Sequence, residues 1–197
     1  MSPNKLKAKD LVTIAIFGVV FMLTYLLCAL PAGLIAELSP FCVAVGMIPS
    51  GIVWTYIRAK APKRFAILVQ CAIFAIITFL RGSGWFVAVG ILAGAFFAEI
   101  LAGIGKYKSF RWNTAGYAAF AVCLNLGLFS LMLFARDYYY NFCIESGQSA
   151  AYIDARFSIM SWPLLLLTTA LSVVGAWLGM LLGRVMLKKH FAKAGIV

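Results

Sequence analysis

WFVAVGILAGAFFAEILAGI, residues 85–104, places a single ionisable side chain, Glu99, among twenty positions. A helix of that length rises about 30 Å, the thickness of a bilayer's hydrocarbon core. A helix packed in a soluble domain carries one apolar stripe and a polar back, whereas here Val, Ile, Leu, Phe, Ala and Gly occupy all sides. The stretch reads as a membrane-spanning helix. Arg81 precedes it, and Lys106, Lys108 and Arg111 follow it.

Outward from this segment, apolar runs repeat at 11–34, 40–57, 65–80, 114–135 and 162–187, which makes six spans with 85–104. The chain of 197 residues is 64% apolar with a mean hydropathy of +0.99, against about 45–50% apolar in soluble domains. The surface of a soluble fold has no room for so much apolar side chain. In lipid every backbone N–H and C=O must be paired internally, and runs of this length suit helices rather than barrel strands. The expected fold class is all-α integral membrane, one transmembrane domain over residues 1–197 with no soluble domain beside it.

The net charge of +11 is distributed by side. Lys5, Lys7 and Lys9 precede span one, and Arg58, Lys60, Lys63 and Arg64 follow span two. Lys106, Lys108 and Arg111 follow span four, and Arg184, Lys188, Lys189 and Lys193 close the chain. These are 14 of the 17 basic residues; only Arg81, Arg136 and Arg156 fall on the other side, with Glu37, Asp137, Glu145 and Asp154. The positive-inside rule then sets both termini in the cytoplasm. Topology and anionic headgroups account for the basic clusters, and nucleic acid is not an expected partner. Span one is expected to be retained: its apolar stretch is too long for a signal peptide and no A-x-A site ends it. The five cysteines, Cys28, Cys42, Cys71, Cys123 and Cys143, show no C-x-x-C spacing and read as small buried apolar residues.

Within the spans, Pro49 predicts a kink in span two. Gly90, Gly94 and Ala98 form a small-residue stripe suited to close helix packing. The one long loop, 136–161, holds Asp137, three consecutive tyrosines and a Ser146-Gly147-Gln148-Ser149 turn; its aromatics predict a structured outer cap.

Tests for chemistry come out empty. Gly103-Ile104-Gly105-Lys106 resembles a phosphate loop but lacks the first glycine, and Tyr107 replaces the magnesium-binding hydroxyl. The lone histidine, His190, cannot form a His-pair metal site or a triad with acids across the membrane. No catalytic residue, metal site or cofactor is expected, and the chain is not expected to be an enzyme. Glu99 is the one ionisable group within a span, either paired structurally or carrying ions. On the outer side Arg81, Trp85, Arg136, Tyr138, Tyr139 and Tyr140 combine flat contact area with guanidinium forks suited to a carboxylate or phosphate.

In their order and spacing, several segments resemble a known family. They are Lys9-Asp10-Leu11, Ile48-Pro49-Ser50-Gly51-Ile52-Val53, Ala59-Lys60-Ala61-Pro62-Lys63, Gly82-Ser83-Gly84-Trp85, Ala98-Glu99-Ile100, Tyr107-Lys108-Ser109 and the tail from Lys188 to Ile196. The chain resembles a substrate-specific S component of an energy-coupling factor (ECF) transporter, an ABC-type importer, of the MptD-type (Trep_Strep) family. The resemblance implies a six-helix bundle in the bacterial cytoplasmic membrane. It would capture a micronutrient outside and work with a transmembrane coupling protein (T component) and two cytosolic ATPases. It places the coupling surface on small residues of span one, Ala15 and Gly18, shared with Gly90 and Gly94. Arg81, Trp85, Arg136 and Tyr138 to Tyr140 are the expected substrate residues. The substrate class is vitamin-like or haem-like; Met47, Tyr138 or Cys143 would serve an iron if it is haem, although spacing does not require it. Two other readings stay open: a stand-alone secondary transporter using Glu99 for ion coupling, and a membrane enzyme of lipid metabolism.

Overall fold

The computed structural model describes residues 6–191. Lys5, Lys193, the His190 side chain and the tail from Ala192 onward, which entered the sequence reading, lie outside what it describes. Among the described residues every regular element is helical. Helix α1 spans Ala8–Gly33, and a 3-10 turn at Ser39–Phe41 leads into α2 (Cys42–Lys60). Then come α3 (Ala66–Leu80), α4 (Trp85–Ile104) and α5 (Phe110–Phe129), which α6 (Leu131–Phe134) prolongs by one turn. The short helices α7 (Arg136–Glu145) and α8 (Ala150–Ile159) precede α9 (Trp162–Met186), which ends in a wide turn at Leu187–Phe191.

Five of these are long and apolar enough to cross a membrane: α1, α2 with its leading turn, α4, α5 with α6, and α9. At 15 residues α3 rises about 22 Å, short of the bilayer core. Helix α5 begins four residues before the expected 114, because Arg111, Trp112 and Asn113 keep helical backbone where hydropathy has already fallen. Pro49 does not interrupt α2.

Two seams hold the bundle, and glycine makes both. On α9, Gly175, Gly179 and Gly183 recur every fourth residue and lie against the α2 backbone. A Cβ on Gly179 would stand 2.5 Å from the Met47 carbonyl oxygen and 2.6 Å from that of Ile48. On α4, Gly90 and Gly94 press on α5, where a Cβ would meet the Cys123 carbonyl at 2.7 Å and the Phe120 Cα at 2.9 Å. Without a hydrophobic drive between helices in lipid, such close van der Waals approach is what binds them. The α4 seam falls on the stripe read from sequence; the longer α9 stripe was not singled out.

Between the seams lies an aromatic core. Phe21 of α1 sits 5.8 Å from Trp54 of α2, 6.0 Å from Phe74 of α3, and 6.4 and 6.1 Å from Tyr117 and Phe120 of α5. Of its two polar handles, Tyr117 Oη is satisfied, donating to the Met47 carbonyl at 2.9 Å and pairing with Ser50 Oγ at 2.8 Å, while the Trp54 indole N–H has no partner among the described residues.

Helix α3 is positioned by a borrowed cap. Its N-cap residue, Phe65, is left-handed (φ 68°) and has no side chain able to accept from the first turn. Orphan N–H groups at a helix start need an acceptor. Glu99 of α4 supplies it, accepting from the backbone of Phe65 at 3.2 Å, Ile67 at 2.8 Å and Leu68 at 3.3 Å. Arg58 of α2 closes on the same carboxylate at 3.2 Å, and both side chains are under a tenth exposed. Nearby, Lys63 Nζ reaches Asp10 at 2.5 Å and ties the α2–α3 connection to the start of α1.

Two outcomes follow for thermal unfolding in detergent. Gly179→Val should destabilise by about 1–3 kcal/mol or more through overpacking, while Gly33→Ala, with nothing near its added Cβ, leaves the melting temperature unchanged. Glu99→Ala should cost about 3–5 kcal/mol because it strands a buried guanidinium. If Glu99→Leu alone, with Arg58 intact, melts like wild type, the capping role is refuted.

Candidate functional site

The end of the bundle that carries α7 and α8 holds a buried cation. Helix α8 places Ile153, Arg156 and Phe157 on one face, followed by Met160 at its C-cap, and all four are buried. An arginine thus stands in the middle of an apolar stripe, 7% exposed. Ser149 begins the helix by accepting from the Tyr152 N–H at 3.3 Å, and Gly147 (φ 83°) provides the left-handed turn that folds α8 back on α7.

Arg156 has aromatic and neutral neighbours but no acid. Its Nη2 donates to Tyr139 Oη at 3.1 Å and lies 3.8 Å from Met132 Sδ. Its guanidinium stands 5.5 to 5.7 Å from the ring centres of Tyr152, Phe129 and Tyr139, within cation–π range. Its Nε has no partner among the described residues. The ion pairs among the described residues are Arg58–Glu99 and Lys63–Asp10, and Asp137, Glu145 and Asp154 are exposed. Nor can Tyr139 neutralise it, since burial pushes that phenol up to about 12 against the opposing pull of Arg156. Arginine does not shed its proton in a protein. A full positive charge therefore sits in a poorly solvated place with part of its donor fork unused.

At the same end of the bundle lies a cavity of about 160 Å³, lined by Tyr25, Cys42, Phe74, Thr78, Arg81, Ser83 and neighbouring aliphatics from α1 to α5. Arg156 is not in the lining; its guanidinium stands 5.7 Å from the ring of Phe129, the residue after Leu128, which does line the cavity. Thr78 Oγ1, also in the lining, is buried and without a partner among the described residues. The hairpin is fastened over this end: Tyr152 Oη donates to the Gly33 carbonyl at the end of α1, and Phe142 packs on Phe86 of α4 with centroids 5.2 Å apart.

The residues expected to bind substrate fall in several places. Arg81 lines the cavity from the end of α3. Tyr139 is buried beside Arg156. Tyr140 and Arg136 both pack on Phe157, at 5.9 Å and 4.7 Å, which makes them supports of the hairpin. Trp85 and Tyr138 are half exposed and joined at the rim, Trp85 Nε1 donating to Tyr138 Oη at 2.8 Å. Met47 is fully buried in the α2–α9 seam, with its carbonyl engaged by Tyr117, and is not in the cavity lining. Cys143 is buried on α7. No group of three metal-ligating side chains occurs among the described residues.

The small residues expected at a coupling surface are mostly covered by the chain's own helices. Gly18 lies against Gln70 of α3, and Gly90 and Gly94 against α5; Ala15 alone of the four is partly exposed. Sequence reasoning passed over Arg156, counting it only as an outer-side charge. The available signal was its register, three residues after Ile153 on one apolar face, with Met160 four residues further on.

A family model described as "Hypothetical bacterial integral membrane protein (Trep_Strep)" matches residues 8–193. No curated protein and no solved structure matches the chain.

A buried charge placed for a ligand costs stability when the ligand is absent. Arg156→Met should therefore leave the melting temperature of the ligand-free chain unchanged or raise it. A marked fall in the same thermal scan would mean that Arg156 is needed to build the hairpin.

Proposed function

We propose that this chain, which belongs to the Trep_Strep family of bacterial integral membrane proteins, is the substrate-binding S component of an ECF-type importer. It crosses the cytoplasmic membrane six times with α3 as the short sixth span, both termini inside and the α7–α8 hairpin outside. It captures a small anionic nutrient beneath the hairpin and relies on a coupling protein and two cytosolic ATPases for energy. The observation that carries this proposal is Arg156, a buried cation with no acid partner among the described residues, at the same end of the bundle as a small cavity and away from the basic clusters.

The chemistry of the site narrows the substrate. Arginine offers a planar fork that matches a carboxylate or phosphate, and Tyr25, Phe74 and Thr78 supply ring contact and one free hydroxyl. A cavity of about 150 Å³ holds a benzene-sized group, so about 160 Å³ favours a single-ring, vitamin-like anion over a porphyrin. Capture would set the substrate's charge against Arg156 and replace solvent with the hairpin as a lid. A stand-alone ion-coupled carrier has less support, because the Glu99 carboxylate already accepts three backbone N–H groups and pairs with Arg58.

Purification of the chain from its native host, followed by mass spectrometry of the released small molecules, should recover a small organic anion in near-stoichiometric amount. Arg156→Gln should retain roughly 10- to 100-fold less of it, the range expected when a charge-assisted hydrogen bond is lost. Uptake by cells should require ATP hydrolysis by partner subunits. Concentrative uptake by this chain alone in proteoliposomes would refute the energy-coupled role.

A further inference from the structure

At the basic end, opposite the hairpin, α3 stops short of its neighbour. The Glu99 cap holds the start of α3 level with residue 99 of α4, and α4 continues to Ile104, about 8 Å further at 1.5 Å per residue. This step leaves a notch of about 680 Å³ among the α2–α3 connection, the last turns of α4 and the α4–α5 turn.

The notch has two kinds of wall. Leu68, Phe96 and Ile100 form an apolar side, and Phe96 and Ile100 are about half exposed on the outer surface of the bundle. The exposed side chains of Arg64, Lys106 and Lys108 form its rim. The single acid in the lining, Glu99, has its charge met by Arg58 and three backbone donors. The backbone there is also unusual. Phe65 (φ 68°), Lys106 (φ 51°) and Tyr107 (φ 62°) are the non-glycine residues with left-handed backbone among the described residues, and all three line this notch. Such conformations are costly, and they cluster where a structure presents groups to a ligand.

We infer that this notch seats the headgroup of one acidic phospholipid, its phosphate among Arg64, Lys106 and Lys108 and an acyl chain along Phe96 and Ile100. The inference rests on the proposed orientation, in which the basic end meets the cytoplasmic leaflet. A soluble anion has no use for the apolar wall open to the hydrocarbon side, and a zwitterionic lipid gains little from three cations. Basic pockets between helices on this side suit acidic headgroups.

Native mass spectrometry of the full chain in uncharged detergent, with equal phosphatidylglycerol and phosphatidylcholine, tests this directly. One phosphatidylglycerol should be retained with roughly tenfold or greater preference. The triple variant R64Q/K106Q/K108Q should lose that preference, and its melting temperature should hold because all three side chains are at the surface. R184Q/K188Q, which alters the adjoining cleft, should keep it, and millimolar inorganic phosphate should not displace the lipid. Equal retention of both lipids, an unchanged triple variant, an equal loss in R184Q/K188Q, or displacement by phosphate would each overturn the proposal. Retention of the co-purified nutrient reads the hairpin site separately, so failure of one does not mimic failure of the other.

Discussion

The carboxylate of Glu99 holds the bundle in register. A buried helix start has no water for its first N–H groups, and α3, which begins with the buried Ala66 and Ile67, has no side-chain cap of its own. Glu99 reaches across from α4 to satisfy three of them, and Arg58 from α2 balances the charge so introduced. Three helices are thereby fixed at one height. Because α3 is only 15 residues long, its start sets the depth of the basic notch and its end sets where Arg81 meets the cavity.

Close packing then divides the molecule. Glycines of α9 against α2 and of α4 against α5 bring backbones near contact, and the rings around Phe21 fill the space between the two seams. That aromatic plug separates the hairpin end from the basic end. The proposed transport would therefore call for movement of the whole bundle in preference to a channel through it.

The two ends use charge differently. At the basic end many exposed cations line open notches, where water screens them and each has modest strength. At the hairpin end a single guanidinium is buried among rings, where weak screening would strengthen its pull on the anion proposed as substrate. Its surroundings supply π faces and one phenol.

Long apolar runs and the side on which lysines and arginines fall were legible without coordinates, because hydrophobic length and charge are additive along a chain. The helical character, the approximate limits of the long helices, the α4 stripe and the shortness of the third apolar run were all present in that pattern. The role of Glu99 was not, since the donors it serves are backbone N–H groups of a helix more than thirty residues away. Nor were the burial of Gly18 beneath Gln70 or the retreat of Met47 into a seam. Arg136 and Arg156 are alike as letters in one loop, and sequence alone ranked the exposed one first. Only the turn at Gly147, which lays α8 over the bundle end, decided that Arg156 faces inward while Arg136 stays at the surface. Burial is a property of the whole packed assembly, and no local window of sequence contains it.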